Sequence, residues 1–179
     1  MSDTPGFGTA GHEDDEVAAA ILAEVPGADV LATVVCFDII RAADRLQQDF
    51  EVSVHRPAGL TWAAFRNMFA LLTLGPQTPH QLAQIHSVSQ ASTSSIVKNL
   101  EKNGLVERER SARDGRSVTI SLTERGKDVC RTLFRLNNAR ETAWASSLTS
   151  AEQMMLVQLL TKVRSFPVPD PPTPADRLV

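Results

Sequence analysis

The chain has no tyrosine, only two tryptophans and two cysteines, and no apolar run approaching the roughly 20 residues that cross a bilayer as a helix. That last absence excludes a helical membrane-spanning protein. Cys36 and Cys130 are too few and too far apart for a disulfide framework or a cysteine metal site, so free thiols in a reducing compartment are expected. The acidic N-terminus MSDTPGFGTAGHEDDE lacks a basic stretch followed by an apolar one. No secretory signal is expected, and a cytoplasmic location is. His12, His55, His80 and His86 form no ligand motif such as H-E-x-x-H, and neither a Gly-rich phosphate loop nor a nucleophile elbow is present. An enzyme is therefore not expected, nor is a metal or cofactor.

What is present suits one globular domain: 179 residues, 42% hydrophobic and 22% charged. The net charge of −3 is unevenly placed. Residues 1–29 hold seven acids and no Lys or Arg, a charge of −7, which leaves +4 for the rest. Between Ser89 and Arg131 there are nine basic residues against six acids. Local sign, more than overall charge, governs attraction to phosphates.

Residues 1–16 are rich in Gly and acid and read as disordered, with a short helix over Glu16–Val25 stopped by Pro26-Gly27. From Asp29 to about Val54 the pattern is helical, with a broad apolar stripe that includes Val30, Leu31, Val34, Val35, Ile39 and Leu46. Thr61–Leu74 reads as a second helix, ended by Gly75-Pro76. Thr78-Pro79-His80-Gln81 combines an N-cap, a proline at the first helical position and a capping-box Gln. It predicts a short helix over Pro79–His86 with Leu82, Ala83 and Ile85 turned inward. After the turn at Ser87-Val88-Ser89, a longer helix runs to about Asn103 with Ala91, Ile96, Val97 and Leu100 as its apolar positions, and Gly104 ends it. Leu105–Arg110 and Ser117–Leu122 alternate at period two and read as paired strands around an Asp114-Gly115 turn. Thr123 caps a helix to about Ser147, and the Thr149–Glu152 capping box opens the last, to about Phe166. The tail from Pro167 holds five prolines and cannot continue it.

The expected fold is thus mostly α with a small β-hairpin wing: a winged helix-turn-helix domain over 61–123 and a helical dimerisation region over 29–60 and 124–166. An acidic, flexible extension over 1–28 and a Pro-rich flexible tail over 167–179 flank these parts. In such a plan the second helix of the pair enters the major groove and its N-terminal residues meet base edges. Here these are Gln90, Ser92, Thr93, Ser94 and Ser95, with Lys98 one turn on. Arg108, Arg110, Arg113 and Arg116 cluster on the hairpin, whose stability does not require them. Arginine fits a narrow minor groove and pairs with phosphates.

The stretch SVSQASTSSIVKNLEKNGLVERERSARDGRSVTISLTERG resembles the core of the MarR family. The matching residues are Leu100, Glu101, Gly104, Leu105, Val106, Asp114, Arg116, Leu122, Thr123 and Gly126, and the resemblance covers about Asp29 to Phe166. It implies a ligand-responsive transcriptional repressor. It further implies a triangular homodimer built by the first and last helices and bound to double-stranded DNA at a pseudo-palindromic operator. By the same resemblance, Asp114 orients arginine and Arg116 enters the minor groove. Ser95 departs from the pattern: many members have Arg there, and its loss removes a bidentate reader of guanine.

Two kinds of signal are compatible with this resemblance. One is a small aromatic or phenolic acid held by Phe37, Arg41, Trp62, Phe65, Arg66 and Phe69, an arginine beside aromatics being suited to an aromatic carboxylate. The other is peroxide, sensed by the thiol of Cys36. The stretch from Cys36 to Ala43 resembles the reactive-cysteine helix of the OhrR organic-peroxide sensors. Those sensors use tyrosines to hydrogen-bond the thiolate, whereas this chain has Phe50 and Trp62 in roughly those places. A reading of another class is a winged-helix protein–protein interaction module, against which the arginine-rich wing argues.

Overall fold

The computed structural model describes residues 12–110 and 118–167. The elements run α1 (His12–Glu24), α2 (Val30–Phe50), α3 (Trp62–Leu74), α4 (Pro79–His86), α5 (Gln90–Lys102), β1 (Val106–Arg110), β2 (Val118–Leu122), α6 (Glu124–Ala145) and α7 (Ser150–Ser165). The architecture is mostly helical with one two-stranded antiparallel hairpin, a winged helix-turn-helix fold.

Helix starts follow local chemistry. Asp29, Thr61, Thr78, Ser89 and Thr149 each accept a backbone N–H of the following first turn. Thr78 and Thr149 close full capping boxes with Gln81 and Glu152. Thr123 does the same work for α6 by accepting the Gly126 N–H at 3.0 Å. Two expectations at the N-terminal end need correction. The first helix begins at His12, so residues 12–16, expected to be disordered, lie within it, and Ala18 is buried. The second helix does not run uniformly to Val54. After Phe50 the chain widens into a π-helical turn over Glu51–His55, then tightens over Arg56–Ala58 and stops at left-handed Gly59. Glu51 Oε2 accepts the Trp62 N–H at 2.5 Å, which joins this turn to the start of α3.

The chain forms two compact units, Met1–Phe134 and Arg135–Val179. The core of the first gathers Phe65, Met68 and Leu71 of α3, Leu82 of α4, Val97 and Leu100 of α5, Leu105, Val106, Ile120 and Leu122 of the wing, and Cys130 and Leu133 of α6. Met68, Leu82, Leu100 and Ile120 are almost wholly buried, each stabilising the fold by about 1.5–3 kcal/mol. Burial pushes the Cys130 thiol up to about 11, with Arg131 opposing, and both cysteines are free.

The wing pairs Val106 with Leu122 and Arg110 with Val118 at its two ends. Its inner edge is extended by Gln77, which exchanges backbone hydrogen bonds with Ile120 at 3.0 and 2.7 Å. At the wing's base, Gly126 lies so close to the Leu105 carbonyl that a Cβ there would collide with it. In the second unit, Gln153 Nε2 donates to the carbonyls of Ala145 and Leu148, pinning the turn before α7.

Candidate nucleic-acid interface

The inner face of α5 is Thr93, Val97 and Leu100, spaced by one and two helical turns and all buried. Away from that face Ser92, Ser94, Ser95 and Lys98 are exposed, and Gln90, on the stripe of Thr93 and Val97, is exposed at the first position of the helix. Five of the six α5 residues expected to meet DNA are thus exposed. Thr93 is not: it is 0% exposed, and its hydroxyl has no hydrogen-bond partner, so it cannot reach a base. Its spacing from Val97 and Leu100 was the available signal, masked by its being polar. Ala91, expected inward, is exposed, as is Ile85 of α4 at 42%, because Leu82, Ala83 and the half-buried His86 already fill that helix's inner side.

α4 presents His80 next to α5. His80 and Gln90 are both exposed, and Gln90 Nε2 lies 2.6 Å from His80 Nδ1. Nothing in the periodicity of either helix signals this contact.

At the wing, Arg108 Nε donates to Glu101 Oε2 at 2.9 Å, linking β1 to the last turn of α5. Both partners are partly exposed, so the pair contributes less than about 1 kcal/mol and acts chiefly as a positional tie. Other basic side chains of this region have local partners: Arg125 donates to the Asn103 carbonyl at 2.7 Å, Lys127 to Glu124 at 2.6 Å and Arg131 to Asp128 at 3.1 Å. Arg110 closes β1, while Arg113, Asp114 and Arg116, expected at the wing tip, lie outside the described residues.

Of the six residues expected around an effector, Trp62, Phe65 and Phe69 stack on one another. Phe65 is core. It stacks on His55 at 4.7 Å, Trp62 at 5.7 Å and Phe69 at 5.9 Å, and Phe69 stacks in turn on Phe134. Trp62, Phe65 and Phe69 recur on one side of α3, with Phe65 buried and the other two partly buried against the core. Arg66 stands by His86. Phe37 is 58% exposed on α2, and Arg41 pairs there with Asp38. The open groove in this part of the molecule, about 440 Å³, is lined instead by Gln47, Gln48, Glu51, Arg56 and Thr61 around Trp62. Cys36 is exposed on α2, and Phe50 is buried against Trp62 at 5.4 Å. Among the described residues, no group of side chains could hold a metal and no helix is long and apolar enough to cross a membrane.

A model of the MarR family matches residues 58–117, from the turn before α3 through the wing. The uncharacterised helix-turn-helix transcriptional regulator YwaE of Bacillus subtilis is 28% identical over 85% of this chain and 89% of its own. A helix-turn-helix regulator of Bacillus cereus is 33% identical over 58% of this chain and 69% of its own. Among solved structures, wild-type MarR of E. coli in its apo form superposes with a TM-score of 0.60 at 25% identity, covering 73% of this chain and 95% of that one. The organohalide-sensing regulator RdhR, bound to 2,4-dichlorophenol, gives 0.68 at 25% identity over 75% and 79%. Matches of this extent, on a chain whose α4–α5 pair and hairpin have the geometry just described, show that the protein belongs to the MarR family of helix-turn-helix transcriptional regulators and is not an enzyme.

Proposed function

We propose that the protein acts as a homodimeric, sequence-specific repressor that reads a pseudo-palindromic operator with α5 in the major groove and the wing in the minor groove. The observation that carries this is the two-sided character of α5. Its inner face is locked into the core by Val97 and Leu100, while Ser92, Ser94, Ser95 and Lys98 are exposed away from that face and Gln90 is exposed at the helix's first position. Short hydroxyl and amide groups on a rigid support suit base edges and phosphates. Arg110, Arg113 and Arg116, with Asp114 orienting arginine, extend the contact into the minor groove.

Dimerisation supplies the second half-site. No residue of α7 is buried within the chain, although Met154, Met155, Leu156, Val157, Leu159, Leu160 and Val163 lie along it. Leu156, Leu159, Leu160 and Val163 share one stripe of the helix, which calls for a partner, and in a symmetric dimer the same stripe of a second copy covers it. The helical parts over 29–60 and 124–166 are the proposed dimerisation region.

The test is a titration against the upstream region of the protein's own gene and against random DNA at two salt concentrations, with Arg116→Ala in parallel. Specific, salt-sensitive binding that weakens about tenfold in the variant, with unchanged folding, supports the reading. Equal affinity for both DNAs at both salt concentrations favours a protein-interaction module.

The effector reading is a small phenolic or aromatic acid at Trp62. Its support is the open groove beside that indole and the dichlorophenol bound by the RdhR relative. Release of operator DNA by such an acid, lost in Trp62→Ala, is the expected result. Release by organic peroxide that disappears in Cys36→Ser assigns the signal to the thiol instead.

A further inference from the structure

His80 is the second residue of α4 and Gln90 the first of α5. In the 2.6 Å contact between them the Gln90 amide nitrogen faces Nδ1 of the imidazole, which accepts its hydrogen when the ring proton is on Nε2. The contact makes the ends of the Gln90 carboxamide inequivalent. With one Nε2 hydrogen directed to His80, the other hydrogen and Oε1 remain available, and they are side by side when the hydrogen given to His80 is the one trans to Oε1. A donor next to an acceptor, in that fixed order, is what the adenine edge requires in the major groove: N7 accepts and N6 donates.

An exposed glutamine without such a partner turns freely about its last torsion, which is broad and two-fold, and presents donor and acceptor in either order. Binding then has to order it, at an entropic cost. His80 removes that freedom beforehand and is itself held firmly. Pro79 occupies the first helical position, and the Thr78–Gln81 capping box closes around it, with Gln81 Oε1 accepting the Thr78 N–H at 2.8 Å. The support of Gln90 is equally stiff, since Ser89 caps α5 by accepting the Ser92 N–H at 3.1 Å.

We propose that His80 is a specificity-determining positioning residue: through Nδ1 it locks the Gln90 carboxamide in the orientation that reads adenine at one base pair of each half-site. This rests on the proposed entry of α5 into the major groove, and the experiment separates the two.

Duplexes are selected with the wild-type protein from a pool with a randomised centre. Each position of the selected duplex is then changed symmetrically, and affinities are measured for wild type, Gln90→Ala, His80→Phe, His80→Asn and the double variant Gln90→Ala/His80→Phe. Gln90→Ala is expected to lose about tenfold discrimination at one A·T pair. His80→Phe, which keeps a flat ring but offers no acceptor, should lose a similar factor at the same pair, with other positions and the melting temperature unchanged. His80→Asn retains an acceptor oxygen and should restore part of the loss, and the double variant should be no worse than Gln90→Ala alone. If Gln90→Ala loses discrimination and His80→Phe does not, the positioning role is wrong while groove reading stands. A loss in His80→Phe spread evenly over all positions, or accompanied by a lower melting temperature, marks a structural role and overturns the proposal. If no position responds to Gln90→Ala, groove reading at that residue fails and the proposal falls with it.

Discussion

α5 and α7 both carry an apolar stripe in sequence, yet the chain treats them oppositely. α5 carries few apolar residues and buries two of them: Val97 and Leu100 are almost inaccessible, and even polar Thr93 is drawn inside. α7 carries a richer apolar set and buries none of it. One polypeptide therefore completes the helix-turn-helix core but leaves its last helix unfinished. Stability of the first should be a property of the single chain, and stability of the second should depend on concentration.

The strongest way to break this contrast is to charge α7. The double substitution Leu156→Glu with Leu160→Glu should yield a monomer by analytical ultracentrifugation. Operator affinity should fall by two orders of magnitude or more, because two half-sites are then no longer engaged together. A dimer that survives the change would remove α7 from the interface. The matching change in the core is Leu100→Ala, which should lower unfolding free energy by about 2–5 kcal/mol in urea titrations, independently of protein concentration. Leu160→Ala, the same deletion in α7, should instead shift the dimer dissociation constant.

Gly126→Ala sharpens the picture of the core's edge. Its Cβ would meet the Leu105 carbonyl, and either α6 or the base of the wing must move. A loss of about 1–3 kcal/mol is expected, read by thermal melting.

A smaller, pH-dependent effect resides at His86. Burial first, and then the nearby charge of Arg66, hold its pKa below the ordinary 6.5, against an opposing hydrogen bond with the Arg66 backbone. As pH falls, the unfolded chain takes up this proton before the folded one does. The contribution is complete above pH 6.5 and declines as pH drops below that value toward the folded pKa. Chemical denaturation between pH 7.5 and 5 should show the slope, and His86→Gln should flatten it. The smallest expected change is at the α4 cap: Thr78→Ala should cost about 1 kcal/mol, measured by the same denaturation.

Much of the framework was legible because its determinants are local. Pro79–His86 was readable to the residue from its cap, its proline and its Gln81 box. The glycine at 104 marked the end of α5 because that position takes a left-handed backbone, φ 66°. The site was legible to the extent that helical spacing separates its faces. Spacing separated Ser94, Ser95 and Lys98 from the buried stripe, but residue type misled at Thr93, where a hydroxyl suggested contact with DNA and the spacing of Val97 and Leu100 took it into the core. Among the residues expected around an effector, aromatic type alone did not separate core from pocket: Phe65 is buried and stacks on the partly buried Phe69.

Caps, helix stops and the alternation of the hairpin were therefore determined by the sequence alone, since each depends on groups within a few residues of one another. Tertiary structure alone decided the meeting of His80 with Gln90, the rung between Gln77 and Ile120, the tie from Glu101 to Arg108 and the approach of Gly126 to Leu105. Each of these depends on the angle at which two elements pack, and that angle is set by the volumes of Met68, Leu82, Leu100 and Ile120 filling the same core, which no short stretch of sequence encodes.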